Sequence, residues 1–378
     1  MDAATRFRVL AFRFGVAISP THGYKQRVSA NAPSLETSRR KRPAFVAAAV
    51  ALALVVAALL GEVFARIAGF KPFAAQPADI RVEPGGKLFR AFPEGGFGHL
   101  PGEFKVTLPT GYSFRVTHGT NGLRATHPPL APDAKLRPEL WILGCSLTHG
   151  WSLNDEDTYP WRVQAALPEF EVVNGGVSGY GTLHQRLLFQ ELLKQRGKPA
   201  LVVVAYGLFH DYRNTYVRIW QKGFAPYNRL PDLTYPFARL TATGELTYDA
   251  APASYAEWPL QRQSALVHWL EQQADLAEER RVNSHAVSRA LLLNWAGVCL
   301  KEGIPFVVAG ISSDSGPMLD WCRAVGLKAV DISVPLTESG NTNAPHDGHP
   351  SAKANRVYAE KLVGFLQALG KRGAGVVE

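Results

Sequence analysis

Cysteine and methionine are scarce in this chain of 378 residues, at three and two. The cysteines, Cys145, Cys299 and Cys322, are odd in number and far apart, which excludes a disulfide framework and any close-spaced metal motif. They read as small buried residues. Charge is also sparse, at 19% of residues, and the net charge of +9 is unevenly spread. Residues 1–42 carry nine Lys/Arg and two acidic side chains, a balance of +7, so the remainder of the chain is only +2. A basic footprint for nucleic acid is therefore missing from the folded part, and no nucleic-acid partner is expected. No repeat of 20–50 residues is visible, and no metal or cofactor is expected. The 46% hydrophobic and 10% aromatic residues present suffice for a buried core.

The basic leader is read as a cytoplasmic tail over 1–42. It ends in SRRKR and runs into PAFVAAAVALALVVAALLG, 19 residues from Pro43 to Gly61 without a charge. That length is about what a hydrocarbon core requires. Four consecutive basic residues before it favour a cytoplasmic N-terminus and export of the chain beyond Gly61. A cleaved signal peptide or a buried core helix would share the composition. The long leader and the lack of a small-residue cleavage site before Glu62 favour a transmembrane anchor over 43–61.

Residues 70–137 are rich in Gly, Pro and Thr with short alternating runs such as FKVTL and YSFRV, which predict a small β-rich lead-in. TNGLR (120–124) reads as a turn. From 138 the pattern changes. Five apolar runs (139–144, 169–176, 200–207, 304–311 and 327–333) alternate with helical stretches, including 182–195, 284–302 and 351–369. Runs apolar throughout indicate a parallel sheet covered on both faces, and right-handed crossovers make it a three-layer α/β/α sandwich of about five strands over 138–370. Residues 212–280 interrupt the rhythm with many aromatics and prolines, and read as an insertion: a lobe over the substrate or a remote decoration.

Ser146 comes directly after the first strand in GCSLTHG (144–150). A serine hydroxyl needs a general base in hydrogen-bond reach and donors aimed at the oxyanion. A serine on a tight turn at a strand end places its oxygen and its own N–H in the crevice, although Gly-x-Ser alone fits a helix N-cap equally well. HDGHPSAKAN (346–355) sets Asp347 and His349 just before the final helix. There the imidazole could reach Ser146, with Asp347 fixing its tautomer. The same stretch also reads as a capping turn, with Ser351 as a candidate cap. A metal held by His346, Asp347 and His349 lacks a distant ligand cluster. His149 reads as helix surface or crevice wall, and His184 as a helix-face residue.

GCSLTHG resembles the Gly-Asp-Ser-x-Thr-x-Gly block of SGNH/GDSL hydrolases, with Cys145 where Asp is usual. VVNGGVSGYGT (172–182) is similar to the second block, and DGHP (347–350) to the last. The resemblance covers about 138–370 and implies a flavodoxin-like sandwich and an ester-hydrolysing serine enzyme. In it Ser146 is the nucleophile, His349 and Asp347 are the base and its orienter, and Ser146 and Gly179 are oxyanion donors. Two departures stand out. The third block, YGLFHDYRN (206–214), has His210 in place of Asn, with Asn214 and Arg213 as other candidate donors, and Asp347 and His349 are two apart instead of three. An α/β-hydrolase would need Gly-x-Ser-x-Gly, and Thr148 stands at the fifth position.

The leading expectation is an extracytoplasmic esterase or deacetylase, anchored in a bacterial inner membrane and facing the periplasm. Its substrate would be an ester, such as O-acetyl groups of an envelope glycan. The alternatives are an O-acyltransferase acting on a cell-envelope polysaccharide, or a degenerate SGNH domain that only binds.

Overall fold

In the computed structural model, residues 41–75, 79–92, 95–129 and 135–374 are described; the tail expected over 1–42 lies outside them except for its last two residues. Contacts divide the chain into residues 1–60 and 61–378. The described part of the first unit is helical, within α1 (Lys41–Ile67). Pro43–Ile67 has a mean hydropathy of 2.7 with no buried residue in its most apolar 18-residue stretch, so by length and composition it could cross a membrane. The helix outlasts the uncharged run because Glu62 and Arg66 pair at i,i+4 (2.6 Å), and it stops before Gly69 (φ 87°).

The second unit opens with short strands: β1 (Arg81–Glu83), β2 (Phe89–Phe92), β3 (Gly96–His99), β4 (Gly102–Thr107) and β5 (Ser113–His118). β1, β4 and β5 form one antiparallel sheet, and β2 and β3 form a hairpin. Alternation decides their faces. Phe104 and Val106 of β4, with Phe114 and Val116 of β5, turn to one side and are buried with Leu88 and Leu108.

β6 (Glu139–Gly144), α2 (Ser146–His149), α3 (Tyr159–Ala166), β7 (Glu171–Gly176), α4 (Thr182–Arg196) and β8 (Leu201–Tyr206) come next. After them are α5 (His210–Thr215), α6 (Arg218–Phe224), the hairpin β9 (Thr234–Leu240) and β10 (Leu246–Pro252), then α7 (Ala265–Val282) and α8 (Ser284–Glu302). The chain closes with β11 (Phe306–Gly310), α9 (Gly316–Ala324), β12 (Lys328–Asp331) and α10 (Ala352–Ala374).

The main sheet has five parallel strands in the order β12-β11-β8-β6-β7, the flavodoxin-like sandwich expected from the sequence. Each central strand is apolar on both sides because each side has a helix layer. On β6, Trp141 and Leu143 pack with Phe189 of α4 and Trp295 of α8, while Leu140 and Ile142 pack with Val163 of α3 and Tyr358 of α10. Burying each aliphatic side chain contributes about 1.5–3 kcal/mol. The first strand, β6, has β7 on one side and β8 on the other, so the direction of winding reverses there. Open α/β sheets form their crevice at the carboxyl ends of such strands.

Residues between α5 and α8 have structure of their own. α6 and α7 are pinned by Lys222, 2.5 Å from Glu271 and 2.8 Å from Asp275, with Arg218 at 3.3 and 3.2 Å from the same carboxylates.

Candidate active site

β6 ends at Gly144, where a Cβ would collide with the Thr148 side chain, so the chain can turn straight into α2. Ser146 is the first helical residue. The N-cap is Cys145, whose side chain makes no capping bond, so Ser146 is not occupied as a cap. Its Oγ lies 3.0 Å from His349 Nε2, across 203 residues of sequence. His349 Nδ1 is 2.5 Å from Asp347 Oδ1, an oxygen that also accepts the His349 backbone N–H at 2.6 Å. The two-residue spacing thus lets one carboxylate oxygen hold both the ring and the backbone of the histidine. A carboxylate accepts, so Nδ1 carries the proton and Nε2 faces the serine hydroxyl with a lone pair.

Burial pushes the Asp347 carboxyl up, but hydrogen bonds from His349 and from Trp151 hold it below its ordinary value. The Trp151 indole N–H donates to Asp347 Oδ2 at 3.1 Å. Ser351 caps α10, accepting the Ala354 N–H at 3.3 Å, so the motif before α10 caps the helix and carries the histidine at once. His346 leaves this group and stacks on Tyr112, with ring centroids 5.0 Å apart.

The amides of Ser146 and Gly179 donate no hydrogen bond among the described residues. Gly179 has φ 92°, and a Cβ on it would stand 3.2 Å from Phe97 and 3.6 Å from Phe224. His210 is fully buried at the start of α5. The Gly207 N–H points to its Nδ1 at 3.4 Å, and an N–H can only donate, so the ring proton sits on Nε2. That N–H has no partner. Burial, with the neighbouring Arg213 charge, holds His210 well below the ordinary histidine pKa, so it stays neutral. No described hydrogen bond joins His210 or Gly179 to Ser146 or His349. The other two candidate donors are committed elsewhere. Asn214 accepts from Leu183 N and donates to Ser288, and Arg213 donates to the Tyr180 carbonyl between the rings of Phe209 and Trp220.

His149, read as helix surface or crevice wall, is fully buried, and so is His184, read as a helix-face residue. The insertion covers His184, with the Tyr235 ring 4.5 Å away. The lead-in covers His149: its Nε2 is 3.0 Å from His118 Nε2, and His99 lies over both rings at 4.3 and 4.4 Å. The ring nitrogens of these three histidines fall within 4.8 Å of one another. Even so, His99 is within 16° of parallel to His118, so it turns its face to the pair and not a lone pair. The group is built as a stack. Sequence reasoning also missed Trp151, Asn343 and Tyr112. Asn343 Nδ2 donates to Ser152 Oγ at 2.8 Å and Tyr112 donates to the Ser152 carbonyl at 3.1 Å, which ties the loop after α2 to the loop of Asp347.

No family model and no curated protein matches the chain. Solved structures of SGNH/GDSL proteins are similar to it. A lipolytic protein of the G-D-S-L family from Desulfitobacterium hafniense DCB-2 is 13% identical, over 61% of this chain and 99% of that one, with a TM-score of 0.34. The psychrotrophic esterase EstA from Pseudoalteromonas sp. is 12% identical over 62% and 99%, with a TM-score of 0.35. AlinE4, an SGNH-hydrolase family esterase, is 15% identical over 65% and 98%, with a TM-score of 0.32. At such identities and scores the likeness carries no chemistry over to this chain.

Proposed function

We propose that this protein is a membrane-anchored serine esterase whose α/β domain works outside the cytoplasm. The observation that carries the reading is the unbroken series Ser146 Oγ, His349 and Asp347, at 3.0 and 2.5 Å. His349 Nε2 takes the hydroxyl proton as Ser146 attacks the ester carbonyl. The imidazolium is stabilised by Asp347 and then gives the proton to the departing alcohol, leaving an acyl-serine. Water, deprotonated by the same nitrogen, releases the acid. The oxyanion would be held by the free amides of Ser146 and Gly179, with the unpaired Nε2–H of His210 as a third donor.

The half-buried Phe224 beside Gly179 offers an apolar contact to an acyl group. An anchored domain preceded by four basic residues, Arg39–Arg42, fits an exported enzyme of a bacterial inner membrane. O-acyl groups on an envelope glycan are the substrate class we favour for it.

The full chain in detergent is expected to hydrolyse a short-chain aryl ester and to be labelled by a fluorophosphonate. Ser146→Ala is expected to lose about 10⁴-fold or more of the turnover and all of the labelling. Absence of both in the wild type would overturn the hydrolase reading. Acyl release to water, as against a sugar acceptor, separates hydrolysis from acyl transfer.

A further inference from the structure

The lead-in makes one contact that the ester chemistry does not use. Arg124 ends the TNGLR turn, pairs by backbone bridges with His118 of β5 and Asn174 of β7, and is 2% exposed. A guanidinium has five N–H donors in a fixed fork, and here they meet five acceptors. Nε donates to Asp155 Oδ1 at 2.9 Å. One terminal nitrogen donates to the carbonyls of His149 and Gly150 at 2.7 and 2.6 Å. The other donates to those of Leu153 and Arg115 at 2.6 and 3.1 Å. Three of these carbonyls belong to the last residue of α2 and the loop that leaves it.

Trp151 lies in the middle of that loop. Its backbone N–H donates to the Ser146 carbonyl at 2.9 Å, its ring packs edge-on to Phe114 at 5.4 Å, and its indole donates to Asp347. We propose that Arg124 is a positioning residue for the serine site: by gripping the His149, Gly150 and Leu153 carbonyls it seats Trp151, whose indole N–H holds the second oxygen of Asp347 and so aims His349 at Ser146. Lysine cannot take over. Its three donors sit on one atom, so at least two of the five bonds that hold the loop would be lost.

The proposal rests on the esterase reading, and the test separates the two. Fluorophosphonate labelling rates and aryl-ester kcat and KM are measured on the full chain for the wild type, Arg124→Lys and Trp151→Phe, with melting temperatures alongside. Trp151→Phe keeps an aromatic side chain beside Phe114 and removes the hydrogen bond to the carboxylate, so kcat is expected to fall about tenfold with KM nearly unchanged. The indole bond helps hold the Asp347 carboxyl below its ordinary value, so its loss should bring protonation of that carboxyl to higher pH, which steepens the fall of the labelling rate on its acidic limb and starts it earlier. A merely structural role would not produce that shift. Arg124→Lys should lower kcat at least as far and move the limb in the same direction.

A wild type that reacts while Trp151→Phe retains its rate and pH profile overturns the positioning role and leaves the esterase reading intact. The same holds if Trp151→Phe is impaired but a folded Arg124→Lys is not. If Arg124→Lys fails to fold, Arg124→Gln together with Trp151→Phe carries the test, and wild-type pH profiles in both overturn the proposal. An unreactive wild type overturns the esterase reading and this proposal with it.

Discussion

At His210 the direction of a single N–H decides what the side chain can do. With Nδ1 taken by the Gly207 amide, the ring offers one donor at Nε2, the same service an asparagine amide gives. In the oxyanion role proposed above, replacing His210 by Ala should cost roughly 10²–10³-fold in kcat, whereas His210→Asn should retain most of it; steady-state kinetics on both variants check this. Ser146, Asp347 and His349 were legible because they sit in short runs with a recognisable order. Their connection was an expectation drawn from that order, while the distances across 203 residues depend on the sheet order. Arg124 was invisible for another reason. Its partners are mostly backbone carbonyls, which every residue possesses and no residue type announces. The full burial of His149 and His184 was not legible because α2 and α4 are covered by elements whose packing the sequence does not reveal.

Among the elements, the parallel strands were the easiest to read. Burial on two faces leaves continuous apolar runs such as ELWILG and ALVVVAYG, bounded by glycine. The hairpin of β9 and β10 was harder, because Pro236 falls inside a strand and most of β10 is exposed, so alternation is blurred. Helices α6 and α7 are joined less by apolar packing than by the Lys222 and Arg218 network. Glu271 and Asp275 stand one turn apart on α7 with side chains almost wholly buried. Removing one cation leaves buried negative charge uncompensated. Lys222→Ala should destabilise the protein by about 3–5 kcal/mol, measured by chemical denaturation, while Lys222→Arg should lose far less.

Across the whole molecule, neutral histidines are built into the interior where elements meet. Burial lowers His118 to about 4 and His184 to about 3, with Arg124 and Arg213 respectively adding to the effect. Burial also holds His99 and His149 well below the ordinary value. The unfolded chain binds these protons near pH 6.5 and the folded chain does not. Stability from this source is therefore complete above about pH 6.5 and drains away as pH falls toward the folded values. His118 alone accounts for about 3 kcal/mol over that range. Thermal melts between pH 7.5 and 4.5 should show a steep decline below about pH 6.5, and a melting temperature flat across that interval would contradict it.

The bridge at Arg124 also decides where the chain can be cut. A piece trimmed to the start of β6 would keep all five parallel strands together with Ser146, Asp347 and His349. It would nevertheless leave the His149, Gly150 and Leu153 carbonyls facing a hole the shape of a guanidinium. The portable unit of this protein, for expression or for grafting, therefore begins upstream of β4, so that Arg124 and the strands beside it are retained.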